Sequence, residues 1–322
     1  MAVATALPPE LAARLDAGLN GVSGRDLARR ADALSRAYRD GQGSAAAIRS
    51  REDALAYAVA RLPATYASAV RVLGELYELA PDLAIASHLD IGAGPGTMQF
   101  AVGTVFGGRP ETHAVEPNPH FVTFARELGA TASRVGTAWP KTDLATLGYV
   151  LAELNDAERA TMMRRVFDAA TEAIVVIEPG TPTGYAAILD ARARLIAAGW
   201  HILAPCPHQS PCPLADRVTD WCHFTVRLPR RRAHLLAKHA DVPFEDEPFS
   251  YVIAVSRGFP GARWGRLLTR PAVNKSEVGL TVCAPDGLTT VKVPRRDKAG
   301  YKAARKLAWG DRYAPAANED AT

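Results

Sequence analysis

The sequence predicts an α/β protein with a helical N-terminal region and a small basic C-terminal extension built on a β-hairpin and a helix. Three observations carry this prediction. Apolar residues recur at three- and four-residue spacing through residues 8–80, whereas from residue 86 short apolar runs alternate with helical stretches. Beyond residue 259, a segment alternating about Pro-Asp-Gly marks a hairpin in a basic tail. A chain of 322 residues can bury a sizeable core, and 48% hydrophobic with 22% charged residues is ordinary for a soluble globular protein. Composition alone excludes no enzyme class.

Taken in order, "PELAARLDAGL", "GRDLARRADALSRAYRDG" and "ATYASAVRVLGELYELAPD" read as helices with Gly or Pro near their ends, and "GQGSAAAIRS" as a loop between the second and third. "SHLDIGAG" is a strand entering a glycine turn, and "TMQFAVGTVFG" a helix. "ETHAVEPN", "TDLATLG" and "AIVVIEPG" are strands, separated by the helices "PHFVTFARELG" and "DAERATMMRRVFDAA" and followed by the helix "GYAAILDARARLIAAG". "HFTVRL" and "FSYVIAVSR" are two further strands. Residues 278–283 and 288–293 form the hairpin arms, "RRDKAGYKAARKLAW" the last helix, and "APAANEDAT" a frayed end.

The first 30 residues lack a basic region followed by an apolar run and contain Glu10, Asp16 and Asp26, so they resemble neither a secretory signal nor an acid-poor transit peptide. No 18-residue apolar segment occurs, which argues against a conventional membrane span. The expected location is the cytoplasm, where four cysteines would not form a disulfide framework. Metal ligation, catalysis and plain burial remain for them. The net charge of +4 is uneven: residues 225–312 hold 18 Lys/Arg against 8 Asp/Glu. That concentration suits a surface meeting a polyanion, or a solvated basic face with no partner.

In "HLDIGAGPGT", Asp90 ends a strand, and Gly92, Gly94 and Gly96 follow at alternate positions before a helix. Glycines there allow a tight turn and close approach to a ligand, beside the free N–H groups of a helix start. Glu116 ends the adjacent strand and is placed to accept hydrogen bonds from ribose hydroxyls. The asparate before the first glycine and the Gly-x-Gly-x-Gly spacing resemble motif I of class I S-adenosylmethionine-dependent methyltransferases. "TDLATLGYVLAEL" and "AIVVIEPG" resemble that fold's fourth and fifth strands, and the two late strands its closing antiparallel pair. The resemblance implies a Rossmann-like sheet in which Gly92, Gly94 and Gly96 flank the methionine portion of the cofactor, Asp90 reaches its amino group and Glu116 holds the ribose. No Asn/Asp-Pro-Pro-aromatic motif follows the fourth strand, so no catalytic residue is assigned. Tyr149 and Glu153 stand there, either as acceptor-holding groups or as a packing tyrosine and a surface glutamate.

Cys206, Cys212 and Cys222 crowd into "APCPHQSPCPLADRVTDWCHF", and Cys283 lies 61 residues on. The two Pro-Cys pairs follow the wrong strand to be pyrimidine-attacking nucleophiles. Four thiolates suit tetrahedral zinc or an iron–sulfur cluster, although C-x5-C-x9-C is not a zinc-ribbon spacing. Together with "DWCHFTVRLPR", "FEDEPFSYVIAVSR" and "DKAGYKAARKLAWGD", this loop closely resembles the Rsm22 family over residues 86–312. The resemblance implies an S-adenosylmethionine-binding, methyltransferase-like protein acting on the small ribosomal subunit and its ribosomal RNA. It further implies a [4Fe–4S] cluster on Cys206, Cys212, Cys222 and Cys283, with zinc as the alternative centre. Arg230, Arg231, Arg232, Arg295, Arg296, Lys298, Lys302, Arg305 and Lys306 would then contact RNA phosphates, and Trp309 and Tyr301 would either stack on bases or pack inward. The domain reading is 1–85 helical, 86–258 cofactor-binding with the cysteine insertion at 204–222, and 259–322 the basic extension. The chain is expected to be monomeric off the ribosome and to have no membrane partner. A non-catalytic ribosome assembly factor, and a small-molecule methyltransferase with structural zinc, are the rival readings.

Overall fold

The structure, a computed structural model, describes residues 4–39, 43, 47–134, 136, 138–217, 219–258 and 262–314. Half of the expected loop at 41–50 and all but the first residue of the expected frayed tail at 314–322 lie outside the described residues. Helices α1 (Pro9–Gly18), α2 (Gly24–Arg39) and α3 (Arg51–Leu79) precede the first strand. α3 starts 13 residues before the periodicity suggested and runs through Pro63. Ser50 caps its start by accepting the Asp53 N–H at 3.1 Å. Nearly every side of its middle is buried, from Ala54 to Leu76. That packing outweighs an internal proline, which costs about 3 kcal/mol in an exposed helix.

The main sheet alternates strand and helix: β1 (Ser87–Ile91), α4 (Thr97–Phe106), β2 (Glu111–Val115), α5 (Pro119–Leu128), β3 (Thr142–Gly148), α6 (Asp156–Ala169), β4 (Ala170–Pro179) and α7 (Pro182–Ala197). It closes with β5 (His201–Ala204), β6 (Phe224–Pro229), α8 (Arg232–Ala237) and β7 (Phe244–Val255). The strand order is β2-β1-β3-β4-β7-β5, with β6 also on β7. β1 to β4 are parallel, and β7 runs antiparallel between β4 and β5. Between β2 and β3 a further parallel contact survives only as a bridge from Val115 to Ser133.

β4 shows why the sheet is covered on both faces. Ala173, Val175 and Ile177 join one core with α1 to α5, while Ile174 and Val176 join the opposite core with α6 and α7. The two-residue period of a strand sends alternate apolar side chains to opposite faces.

β5 is the strand of the main sheet that the sequence reading missed, because four residues without alternation carry little signal. β5 pairs His201–Ala204 against Ile253–Val255 of β7, and β6 takes the other half of β7 through Phe224–Pro229. The cysteine loop therefore leaves and rejoins one edge of the sheet.

The C-terminal part is a second sheet rather than a lone hairpin: β8 (Gly265–Leu267), β9 (Ala272–Val273), β10 (Glu277–Ala284), β11 (Gly287–Pro294) and β12 (Arg312–Tyr313), in the order β11-β10-β8-β12 with β9 on β10. Its own small core holds Leu267, Val278, Leu280, Val282, Val293 and Ala304. The hairpin arms fall where expected. The last helix, α9, covers only Lys298–Ala304, because the chain then turns Leu307 and Trp309 inward and reverses at Gly310, φ +89°.

Candidate functional site

The glycine turn lies at the carboxyl end of β1. Gly92, Gly94 and Gly96 take φ of +67°, +52° and +88°, the left-handed region that side chains resist. A Cβ at Gly92 would meet Val150 at 2.5 Å, and one at Gly96 would meet Ala130 at 2.4 Å. The alternate glycines are thus required by backbone conformation and close packing as well as by any ligand. Glu116, buried at the end of β2, accepts the Gly94 N–H on Oε2 and the Asn118 N–H on Oε1, both at 2.8 Å. Its two oxygens brace the turn. A ribose would share them.

Asp90 is fully buried, and Thr146 Oγ1 donates to its Oδ1 at 3.4 Å. Thr146 Oγ1 is also 2.8 Å from the His88 Nε2. The other Asp90 oxygen, Oδ2, is buried without a hydrogen-bond partner. Burial pushes the Asp90 carboxyl up to about 7, with the nearby Glu116 charge adding to the effect. An orphaned carboxylate oxygen at this place fits a cationic amino group, which would supply the missing donor and the missing charge.

A pH dependence follows. The folded protein keeps a proton on Asp90 that the unfolded chain, with the ordinary value near 3.8, has released. This carboxyl therefore favours folding at the acid end, and its contribution is lost as pH rises from about 4 to 7. A cationic ligand reverses the preference. Its affinity should rise by up to about tenfold per pH unit toward pH 7 and then level, with proton release measured by calorimetry in buffers of different ionisation heat. A pH-independent affinity in Asp90-containing protein would contradict this assignment.

After β3 the chain makes an unusual turn. Tyr149 adopts φ +62° and donates its N–H to the Ile177 carbonyl at 2.7 Å. The next three N–H groups, of Val150, Leu151 and Ala152, all donate to Glu178, at 3.0, 2.7 and 3.3 Å. Glu178 is fully buried in the strand that reads "VVIEPG", and burial pushes it up to about 8. This glutamate is a positioning residue that the sequence reading did not single out. Its signal was a charged residue inside an apolar strand.

The four cysteines are free thiols, and all line one hollow with Pro205, Leu214, Arg266 and Leu268. Three come from the loop between β5 and β6, and Cys283 from β10 of the second sheet. Arg192 fastens the loop by donating to the His208 and Ser210 carbonyls at 2.9 and 2.8 Å, and Ser250 does so by donating to the Cys222 carbonyl at 2.9 Å. Tyr185 OH lies 3.3 Å from Cys212 Sγ, and His208 Nε2 lies 3.4 Å from Cys283 Sγ. Burial raises the thiols of Cys206 and Cys222 and pushes Cys283 up to about 12. Among the described residues, no three His, Cys, Asp or Glu side chains are arranged to hold a metal ion. The hollow is small, with a cavity volume of about 10 Å3.

Arg266 links this hollow to the rest of the molecule. Only 1% exposed, it pairs with Glu75 of α3 and donates to the Pro205 and Gly310 carbonyls at 3.1 and 2.7 Å. Tyr251 of β7 donates its hydroxyl to the same glutamate. One buried network thus ties α3, the main sheet and the second sheet together.

The basic residues fall into two groups. Arg295, Arg296, Lys298, Lys302, Arg305 and Lys306 are exposed on and around α9. Arg230, Arg231 and Arg232 lie elsewhere, at the start of α8, which packs on α2 and α3. Of these, Arg230 pairs with Glu245 at 3.3 Å and Arg231 with Asp16 of α1, while Arg232 is exposed. Trp309 packs inward and meets the His223 ring edge-on at 4.7 Å, and Tyr301 donates its hydroxyl to the Asn274 carbonyl at 2.8 Å.

A parallel sheet closed by an antiparallel β7, with the glycine turn after β1 and an acidic residue ending β2, defines the class I methyltransferase fold. Solved structures similar to the chain include the magnesium protoporphyrin IX methyltransferase of Synechocystis PCC 6803 with bound SAH, at TM-score 0.40 and 11% identity over 61% of this chain and 85% of that one. Another is the plantazolicin methyltransferase BpumL in complex with SAH, at TM-score 0.40 and 11% identity over 73% of this chain and 98% of that one. The chain belongs to the Rsm22 family, described as mitochondrial small ribosomal subunit Rsm22, whose pattern matches residues 51–314. Similar proteins include the human ribosome assembly protein METTL17, mitochondrial, 26% identical over 80% of this chain and 61% of that protein. The Rsm22-cox11 tandem protein 2, mitochondrial, of Schizosaccharomyces pombe is 25% identical over 80% of this chain and 43% of its own length. The chain thus spans about six tenths of the human relative and under half of the yeast one.

These relatives correct the cytoplasmic expectation, since they are named as mitochondrial proteins. The physical reason is that a compartment is addressed by segments read during transport, and the composition of a folded domain carries no such address. No helix among the described residues is long and apolar enough to cross a membrane.

Proposed function

We propose that the chain is an S-adenosylmethionine-binding protein that engages the small ribosomal subunit and its RNA during assembly, with a [4Fe–4S] cluster on Cys206, Cys212, Cys222 and Cys283. The observation that carries this reading is the convergence of those four thiols, three from the main sheet's edge loop and one from the basic second sheet, on one hollow. Burial disfavours free thiolates there, and a soft metal centre would supply the positive charge that stabilises them. Such a cluster would supply four iron–thiolate bonds joining the loop to the hairpin. Arg192 and Arg266, adjoining the hollow, would offset its negative charge. The small-molecule methyltransferase reading gives the exposed basic group around α9 no role.

At the glycine turn, Asp90 would hold the cofactor's amino group, Gly92, Gly94 and Gly96 its methionine portion, and Glu116 its ribose. The sulfonium is itself a strong methyl donor when bound, so the chain's own work would be to align an acceptor and exclude water. Arg295, Arg296, Lys298, Lys302, Arg305 and Lys306 would meet RNA phosphates, a sequence-independent and salt-sensitive contribution.

A second reading, a non-catalytic assembly factor in which cofactor and cluster only gate binding, is favoured by the segment after β3, which reads "LGYVLAEL" and carries no Asn/Asp-Pro-Pro-aromatic motif. Methylation mapping of small-subunit RNA separates the two, comparing a deletion strain with an Asp90→Ala strain. A mark lost in both supports an enzyme; no lost mark, with a subunit assembly defect on deletion, supports the assembly factor. Failure to co-sediment with small-subunit precursors removes the ribosomal reading altogether. Iron and acid-labile sulfide near zero after anaerobic purification remove the cluster.

A further inference from the structure

A cavity of about 510 Å3 opens at the carboxyl ends of β3 and β4, beside the glycine turn. That size lies in the range of small-molecule sites, and the edge of the sheet is where α/β proteins bind ligands. Ala31 and Leu34 of α2, Tyr57, Ala60 and Arg61 of α3, Tyr149 and Glu153 after β3, and Glu247 of β7 line it. Residue 149 faces this cavity while its neighbour Val150 abuts Gly92, so a single residue step separates the two sites.

Its polar groups form a built constellation. Glu247 is 4% exposed. Arg61 donates to its Oε1 at 3.0 Å, and Tyr149 OH lies 3.4 Å from the same oxygen and 3.0 Å from Ser68 Oγ. Both bonds to Glu247 fall on Oε1. Tyr149 is a bulky residue with φ +62°, a conformation that costs about 1–3 kcal/mol and persists where surrounding structure imposes it. The bonds from its N–H to Ile177 and from the next three amides to Glu178 impose it here.

We infer that this cavity receives a nucleobase from unpaired RNA, with Tyr57 and Tyr149 as ring walls and the Arg61–Glu247 pair reading the base edge. A base is flat and apolar on its faces, and its edge sets donors beside acceptors, as the guanidinium and carboxylate do. Two carboxylates against one guanidinium in the lining repel a phosphate, so the ribose-phosphate chain stays outside. The inference rests on the RNA reading above and names the part of the RNA that enters the molecule.

The test titrates 2-aminopurine riboside, a fluorescent base, into the full chain and into three folded variants. Wild-type protein should quench it saturably. Glu247→Gln, which keeps the side-chain shape, and Leu34→Trp, which fills the cavity, should each weaken binding about tenfold or more, and Asp90→Ala should leave it within about twofold. Loss in Asp90→Ala with retention in the other two assigns the base to the glycine turn and overturns the inference, as does no quenching at all. RNA binding measured separately on small-subunit RNA keeps the two proposals apart. Nucleoside binding that Leu34→Trp abolishes, in a protein that does not bind the RNA, sustains the cavity and sinks the ribosomal reading. RNA binding without nucleoside binding does the reverse.

Discussion

Replacing Arg266 by alanine should lower the stability of the protein by about 3–5 kcal/mol, the cost of leaving one partner of a buried ion pair without the other. Glu75 is 3% exposed and Arg266 1%. Alanine would strand the Glu75 carboxylate with only the Tyr251 hydroxyl as a donor from this network, and would release the carbonyls of Pro205 and Gly310. The measurement is the denaturant midpoint, read beside proteolysis of the second sheet. Arg266→Met with Glu75→Leu should recover much of the loss, because it removes both charges and keeps the volume. A double variant no more stable than Arg266→Ala would show that the carbonyl bonds, rather than the ion pair, hold the second sheet.

Cys283→Ser should abolish incorporation of iron and weaken RNA binding about tenfold or more, while cofactor affinity at the glycine turn changes by less than about twofold. The reasoning is mechanical. Cys283 is the one cysteine carried by the second sheet, and the exposed basic group around α9 belongs to that same unit. Removing it leaves three thiols on one side of the join and none on the other. Isothermal titration with S-adenosylhomocysteine and salt-dependent RNA shifts measure the two affinities on the same preparation. Equal loss of both would point to global unfolding and against a join between the cysteine loop and the hairpin.

Much of the site was legible in the residues themselves. The glycine turn declares itself because three alternate positions require positive φ or close packing, and those demands are local. The strands flanking it were found within a few residues for the same reason. The cysteines were read as four ligands drawn from two places; all four line one hollow, but among the described residues no three His, Cys, Asp or Glu side chains are arranged to hold a metal ion. Arg230 and Arg231 show the limit: their charge was visible, but their partners, Glu245 and Asp16, lie 15 and 215 positions away in sequence. A count of basic residues cannot distinguish a cation facing solvent from one already paired.

Periodicity, turn chemistry and glycine placement determined the α/β class, the order of the main elements and the hairpin, because each depends on neighbours along the chain. Only the tertiary structure decided the rest. α3 runs through Pro63 because burial on nearly every side repays the missing hydrogen bond. Tyr149 takes a left-handed conformation because Glu178, 29 positions later, gathers the amides that follow it. Arg266 can be buried because Glu75 meets it across 191 residues. Each of these conformations is costly alone and becomes stable through a partner that sequence distance hides.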